Sequence, residues 1–199
     1  MAEKVQFFPL DVTYKVINDK AVIHLYGRTV DGEQICVIDD NFEPYFYVIA
    51  KKTQSVLEKL DKLRVERNKE VSIVAKTEVV NKKYLSKDVE AIKVYTKLPR
   101  DVPVIREEIK DWPDIKSEHE YDIQFSRRYL IDKKIIPTTI VEAEGSFVTQ
   151  KSKVPVLKAD SISQISDEAL KKPKILAFDI ETYTPFGKEI VPEKNPIIM

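Results

Sequence analysis

Tyr45-Phe46-Tyr47-Val48-Ile49-Ala50 is a strand-like run, and Val56, Leu57, Leu60 and Leu63 behind it mark one face of a helix. The order of the next elements decides the fold. Val71 to Val80 reads as a strand, and Ala91 to Tyr95 as another after a polar turn. Val102, Ile105, Ile109 and Trp112 then repeat at helical spacing, with Asp101 placed to cap that helix and Pro113 to stop it. Lys116 to Tyr121 closes a last strand. The order βαββαβ is the split-βαβ or ferredoxin-like arrangement, so the fold class is α+β. Many RNA-binding domains share it, and a fold alone does not give a function. The RNA-recognition signature, a basic residue followed by Gly-aromatic-Gly/Ala-Phe, is absent from the central strands.

Upstream, residues 1–50 read as a β meander. Leu10, Val12, Tyr14 and Val16 alternate with Asp11, Thr13 and Lys15, the period-two pattern of a half-buried strand. Asn18-Asp19 marks a turn before Ala21 to Tyr26, and Asp31-Gly32 marks a hairpin into Gln34 to Ile38. Cys36 and His24 lie inside these strands and read as structural residues. Downstream, a short helix carries Phe125, Arg127, Arg128, Tyr129 and Leu130, and Ile140 to Val148, broken by Gly145, suggests a hairpin. Residues 149–173 shift to Lys, Ser, Asp and Ala and read as a linker with one polar helix near Ser163 to Leu170.

Composition removes several function classes. The 199 residues carry 33 Lys+Arg against 33 Asp+Glu, so no global charge draws the chain to nucleic acid and any such function rests on local patches. One cysteine excludes an internal disulfide and a Cys-based zinc site, and His24 and His119 are too few for a His-rich centre. Apolar stretches are too short to span a bilayer, so no membrane partner is expected. Met1-Ala2-Glu3-Lys4 leads straight into strand-like sequence instead of a secretory leader, which points to the cytoplasm.

Near the end, Ile175-Leu176-Ala177-Phe178-Asp179-Ile180-Glu181-Thr182 is an apolar run interrupted by two acids. In a strand, Asp179 and Glu181 share one face while Phe178 and Ile180 turn to a core. Adjacent acids repel unless a cation neutralises them, and Mg²⁺ or Mn²⁺ favours such oxygen ligands. Two-metal nucleases need a cluster of this kind, but an ordinary strand end with two solvated acids has the same spacing. No comparable acidic cluster comes after Glu181. Pro196-Ile197-Ile198-Met199 reads as a strand that pairs with the Asp-x-Glu strand and is cut off mid-run, which suggests a truncated chain with an open edge for self-association.

Lys174 to Thr182 resembles the first exonuclease motif of family B DNA polymerases, above all the archaeal ones. Phe42-Glu43-Pro44-Tyr45-Phe46-Tyr47 and Leu98-Pro99-Arg100-Asp101-Val102-Pro103-Val104-Ile105-Arg106 are similar to the N-terminal domain of those enzymes. So is Tyr121-Asp122-Ile123 through Phe125 to Arg128-Tyr129-Leu130-Ile131-Asp132. The resemblance implies a parent enzyme that copies DNA and proofreads with a 3′→5′ exonuclease using Mg²⁺ or Mn²⁺. In it Asp179 and Glu181 would be metal-binding catalytic acids. The other exonuclease acids and all polymerase motifs of the family lie outside this stretch, so the chain alone is expected to be inactive and to hold no ion tightly. A sliding clamp would engage the parent through other regions, and a nucleoid-associated cytoplasmic location is implied.

Archaeal members also hold an N-terminal pocket that captures template uracil and stalls synthesis. By resemblance its residues here are Tyr14, Pro44, Tyr45, Pro99, Val102, Ile123, Phe125 and Arg128, with Asp101 beside them. Apolar and aromatic walls give a flipped base a face to stack on, at roughly 1–3 kcal/mol per base. Backbone groups near Tyr45 and Ile123 would read its polar edge and Arg128 would hold phosphate. Taken one by one, the same residues read as core. The expected plan is a template- and uracil-sensing domain at 1–137, a hairpin and linker insertion at 138–173, and the start of a ribonuclease H-like exonuclease domain at 174–199. Two rival readings are a stand-alone two-metal nuclease fragment and a non-catalytic ferredoxin-like nucleic-acid-binding module.

Overall fold

Residues 45–119 form the sheet that their pattern predicts. A computed structural model describes all residues except 1, 68, 69, 150, 151, 174, 180, 185, 190, 192–196 and 199, with the side chains of 182, 197 and 198 also left out. The strands are β4 (Tyr45–Ala50), β5 (Arg64–Arg67), β6 (Glu70–Tyr84), β7 (Lys87–Thr96) and β8 (Ile115–His119), in the order β5-β6-β7-β4-β8. All neighbours run antiparallel. Without β5, a short edge strand that the periodicity does not announce, this is the ferredoxin-like order. Helices α1 (Thr53–Asp61) and α2 (Asp101–Ile109) cover one face, where Val56, Leu60, Ile105 and Ile109 meet Phe46, Val48, Ile92 and Val94. Burying each such side chain contributes about 1.5–3 kcal/mol.

The meander closes into a barrel. Strands β1 (Glu3–Ile17), β2 (Lys20–Thr29) and β3 (Gln34–Asp39) run antiparallel as expected, turning at Asn18 and Asp19, both at positive φ, and at Gly32. The circle is completed by β9 (Thr139–Phe147), paired with β1, and β10 (Val156–Ala169), paired with β9 and in parallel with β3. This 1-2-3-5-4 order is that of OB-type Greek-key barrels. Helix α3 (Phe125–Lys133) seats Phe125 and Tyr129 against Phe7, Leu25, Val37 and Leu157 in the barrel core. The ferredoxin-like unit is therefore an insertion between β3 and α3.

Several expectations change. Within the expected linker at 149–173, Val156–Ala169 form the barrel strand β10, and no helix lies near Ser163. The apolar side of β10 is thin because Val156, Leu157, Ala159 and Ile162 are interspersed with serines. Gly145 does not break β9. A Cβ there would lie 2.0 Å from the Lys158 carbonyl oxygen, so glycine permits the close approach beside the bulge between Ala159 and Ser161. In β1, Leu10, Tyr14 and Val16 are exposed, and the buried residues are Phe7 and Pro9. A register shift between Pro9 and Asp11 redirects the alternation.

The chain divides by contact into Met1–Ala169 and Leu170–Met199. In the second unit, β11 (Glu181–Thr182) pairs antiparallel with β12 (Ile197–Ile198), the pairing expected from the apolar end. The long Asp-x-Glu strand does not form: among the described residues, the ladder is limited to those two pairs. Asp179 therefore lies outside regular structure and Phe178 is exposed instead of turned to a core. Lys174, Ile180, Pro196 and Met199 lie outside the described residues. No helix among the described residues is long and apolar enough to cross a membrane.

Candidate nucleic-acid site

Four segments far apart in sequence surround one cavity of about 410 Å³. Thr13 and Tyr14 come from β1, and Pro44 and Tyr45 from the entry to β4. Pro99, Arg100 and Val102 come from the entry to α2, and the loop from Tyr121 into α3 supplies Ile123, Phe125 and Arg128. The structure thus brings together Tyr14, Pro44, Tyr45, Pro99, Val102, Ile123, Phe125 and Arg128 around a single space. Asp101 is the exception. It stands behind the wall.

The walls are held from outside the cavity. The Thr96 N–H donates to the Pro44 carbonyl at 2.9 Å, which ties the start of β4 to the end of β7. Asp101 lies in the first turn of α2, after an Arg100 cap that uses no side-chain bond, so it does not cap the helix as expected. Its carboxylate accepts from the Leu98 N–H at 3.0 Å and from the Ser72 hydroxyl at 2.7 Å, pinning the Leu98–Val102 bend. Tyr14 meets Phe125 edge to face with centroids 5.3 Å apart. The Tyr45 hydroxyl donates to Asp132, and burial together with that bond pushes its pKa well above the usual range. It stays a neutral ring.

Arg128 is held differently from its expected role. Its side chain is 6% exposed, and its guanidinium lies 4.8 Å from the Tyr45 ring centroid. It donates to the Glu120 carboxylate and, at 3.1 Å, to the Glu120 carbonyl, which a positive φ of 62° at Glu120 turns toward it. Burial opposes its charge, but Glu120, Tyr45 and Asp132 together hold its pKa above the usual value. A phosphate would compete with that pair. Arg100 is the cation at this cavity with an exposed head, its side chain 60% exposed and 3.0 Å from Glu70. Sequence reasoning does not single it out, nor Thr13, Tyr121, Asp122, Gln124 and Ser126. A basic residue next to Pro99 in a helix-entry bend is the signal that could have found it.

Among the described residues, no three His, Cys, Asp or Glu side chains are grouped to hold an ion. Asp179 and Glu181 have the right donor chemistry for a hard cation. Asp179 lies outside regular structure while Glu181 opens the short β11, so the two do not share one strand face.

Residues 116–199 match the model of the family B DNA polymerase exonuclease domain. The DNA polymerase of Thermococcus kodakarensis is 37% identical over 190 residues, 96% of this chain and 9% of that protein. The DNA polymerase of Methanocaldococcus jannaschii is 38% identical over 192 residues, 96% of this chain and 10% of that protein. The solved family B DNA polymerase from Pyrobaculum calidifontis superposes with a TM-score of 0.77 at 26% identity, covering 97% of this chain and 24% of that one. The chain thus spans a tenth to a quarter of the length of these relatives. Over nearly its whole length the chain is similar, in sequence and in fold, to an N-terminal region of the archaeal family B DNA polymerases.

Proposed function

We propose that this region is the template-reading front of a DNA-directed DNA polymerase with 3′→5′ proofreading, and that it binds single-stranded DNA and captures template uracil so that synthesis stalls. The observation that carries the reading is the convergence of eight expected residues from four distant segments on one cavity. Chance core packing gives no reason for them to share an open space.

Uracil and thymine present the same hydrogen-bonding edge and differ by one ring methyl, so discrimination must be steric. Val102 stands at the entry of α2, where the Asp101 bonds to Leu98 and Ser72 fix the backbone. A wall held this way does not retreat to admit the methyl. Tyr14, Tyr45 and Phe125 offer ring surface to a flipped base. Arg100 is placed to meet the strand's phosphates at the rim. In the parent enzyme, Asp179 and Glu181 would serve as proofreading acids toward Mg²⁺ or Mn²⁺, whose part is to polarise phosphate and activate water. That site would need carboxylates from outside this chain.

The test is fluorescence anisotropy with paired single-stranded oligonucleotides carrying dU or dT at one position, at fixed salt. The wild-type chain should prefer dU. Val102→Gln should abolish the preference by filling the cavity while leaving the melting temperature nearly unchanged, because Ile105 and Ile109 still anchor α2. Equal binding of both oligonucleotides by the wild-type chain removes the reading. Retained preference in Val102→Gln moves the pocket elsewhere.

A further inference from the structure

Helices α1 and α2 cover one face of the ferredoxin-like sheet, and α3 meets the other at its edge, where Asp132 and Arg128 contact Tyr45. On that other face, β4, β6, β7 and β8 align Tyr45 with Tyr95, Tyr47 with Lys93 and His119, Lys76 with Tyr95, and Lys82 with Val89. Tyr45, Tyr47 and Tyr95 form a small apolar layer with Ile49 and Ala91. Lysines roof it. The Lys93 ammonium lies 3.8 Å from the Tyr45 ring centroid and 4.7 Å from that of Tyr95. Lys76 lies 4.4 Å from Tyr95, and Lys82 lies 4.8 Å from Tyr47. At the far edge the Tyr84 and His119 rings stand 4.6 Å apart beside a second cavity of about 170 Å³, which Tyr47, Lys82 and Lys83 also line.

We infer that this face is a second contact for single-stranded DNA, a phosphate track over a tyrosine layer that continues from the cavity of the first site. Charge complementarity favours a polyanion. Among the described residues, Lys82 and Lys93 lie against ring faces and not against carboxylates, so an arriving phosphate displaces no acid from them. Three acids border the face, and Glu120 among them is held by Arg128. Glu43 pairs with Lys76, and Glu78 accepts the Tyr95 hydroxyl at 2.9 Å. Rings favour a single strand over a duplex, because only unstacked bases offer their faces; Tyr84 is half-exposed and positioned for this.

Continuity argues for DNA. Tyr45 belongs both to the tyrosine layer and to the wall of the first cavity, and Glu120 lines the second cavity while holding Arg128 of the first. A strand with one base in the first cavity therefore meets this face with its neighbouring nucleotides. The choice of DNA rests on the reading of the chain as a template-binding region. The basic aromatic face does not.

The experiment uses the whole 199-residue chain and a labelled oligothymidylate of about 15 nucleotides without uracil, titrated by anisotropy across a salt series. Replacing both lysines, Lys82→Gln with Lys93→Gln, should weaken binding about tenfold at low salt and flatten the log–log salt slope by about 1.4. Tyr84→Ala should weaken it about tenfold with the slope unchanged, since a stack and not an ion contact is lost. Lys59→Gln with Lys110→Gln removes the same charge from α1 and the end of α2, and should leave both readings at the wild-type value. Thermal melting confirms that each variant folds. Unchanged affinity and slope in the Lys82/Lys93 variant overturn the inference, as does absence of oligothymidylate binding by the wild-type chain. So do equal affinity for blunt duplex and tighter binding of the matching RNA. Loss of uracil preference with the lysine effect intact would remove the pocket reading and leave the face standing.

Discussion

The barrel buries the inner face of its strands by closing on itself, whereas the sheet buries one face under α1 and α2 and leaves the other under lysines. Closure joins residues far apart in sequence: Glu3 pairs with Gly145 and Cys36 with Val156. The sheet is assembled within one contiguous segment, from Tyr45 to His119. The barrel has no free strand edge, and it supplies β1 and α3 as fixed walls. The sheet supplies the loops that enter β4 and α2. The cavity lies where these two kinds of support meet. Its shape depends on both, so damage to either should reach it by a different route.

The largest expected effect tests barrel closure. Leu157 in β10 is fully buried among Phe7, Leu25 and Val37. Leu157→Ala should lower unfolding free energy by about 2–5 kcal/mol, the range for a cavity in a packed core. Denaturant melts at constant slope would measure it. A residue in a solvated linker would give a change within about 0.5 kcal/mol, so a result of that size would break the comparison by removing β10 from the barrel.

The same contrast explains what the sequence made legible. The sheet is written in local patterns, from the unbroken apolar run of six residues in β4 to the spacing of Val56 and Leu60 in α1. The barrel's closing strands find partners more than a hundred residues away, and no window of sequence contains both sides of the β1–β9 pairing. In β10, serines dilute the apolar period, and bulges shift it past Ala159 and again past Gln164. The cavity was visible only through a family resemblance. Tyr45, Val102 and Phe125 are as buried as ordinary core residues, so residue type alone cannot separate a wall from a core. At Asp179 and Glu181, the spacing describes a shared strand face, but a face needs a ladder, and the described pairing begins only at Glu181.

An intermediate effect tests the sheet's contribution to the cavity. Asp101 is buried, and its carboxylate joins β6 at Ser72 to the bend before α2. Asp101→Ala should cost about 1.5–3 kcal/mol, the range for hydrogen bonds to a charged group. It should also blunt the dU/dT ratio, because the bend that carries Pro99 and Val102 loses its pin. Leu157→Ala, measured well below its melting point, should leave that ratio close to wild type. If both variants lower the ratio equally, wall rigidity is a property of overall stability and the two regions do not act separately.

The smallest effect sharpens the barrel side of the comparison. The outer surface of β2 and β3 carries its own apolar cluster of Val22, Cys36, Ile38 and Val156, and His24 is buried on the same strand, 3% exposed. Its Nδ1 donates to the Val22 carbonyl at 3.1 Å, and its ring stacks near Tyr26. Burial, reinforced by the nearby Lys15 charge, outweighs that bond and holds the folded-state pKa below the ordinary histidine value of 6.5. Above that value both folded and unfolded chains carry a neutral ring, and His24 contributes nothing to the pH dependence. As pH falls below it, the unfolded chain binds a proton first, so unfolding is favoured until the folded ring also protonates. The wild-type melting temperature should therefore decline on acidification through this window more steeply than that of His24→Gln. The difference between the two curves isolates His24 from His119 and from the carboxylates, which both proteins share. Parallel curves would mean that water reaches the ring, and that the outer cluster is a looser seal than the core inside the barrel.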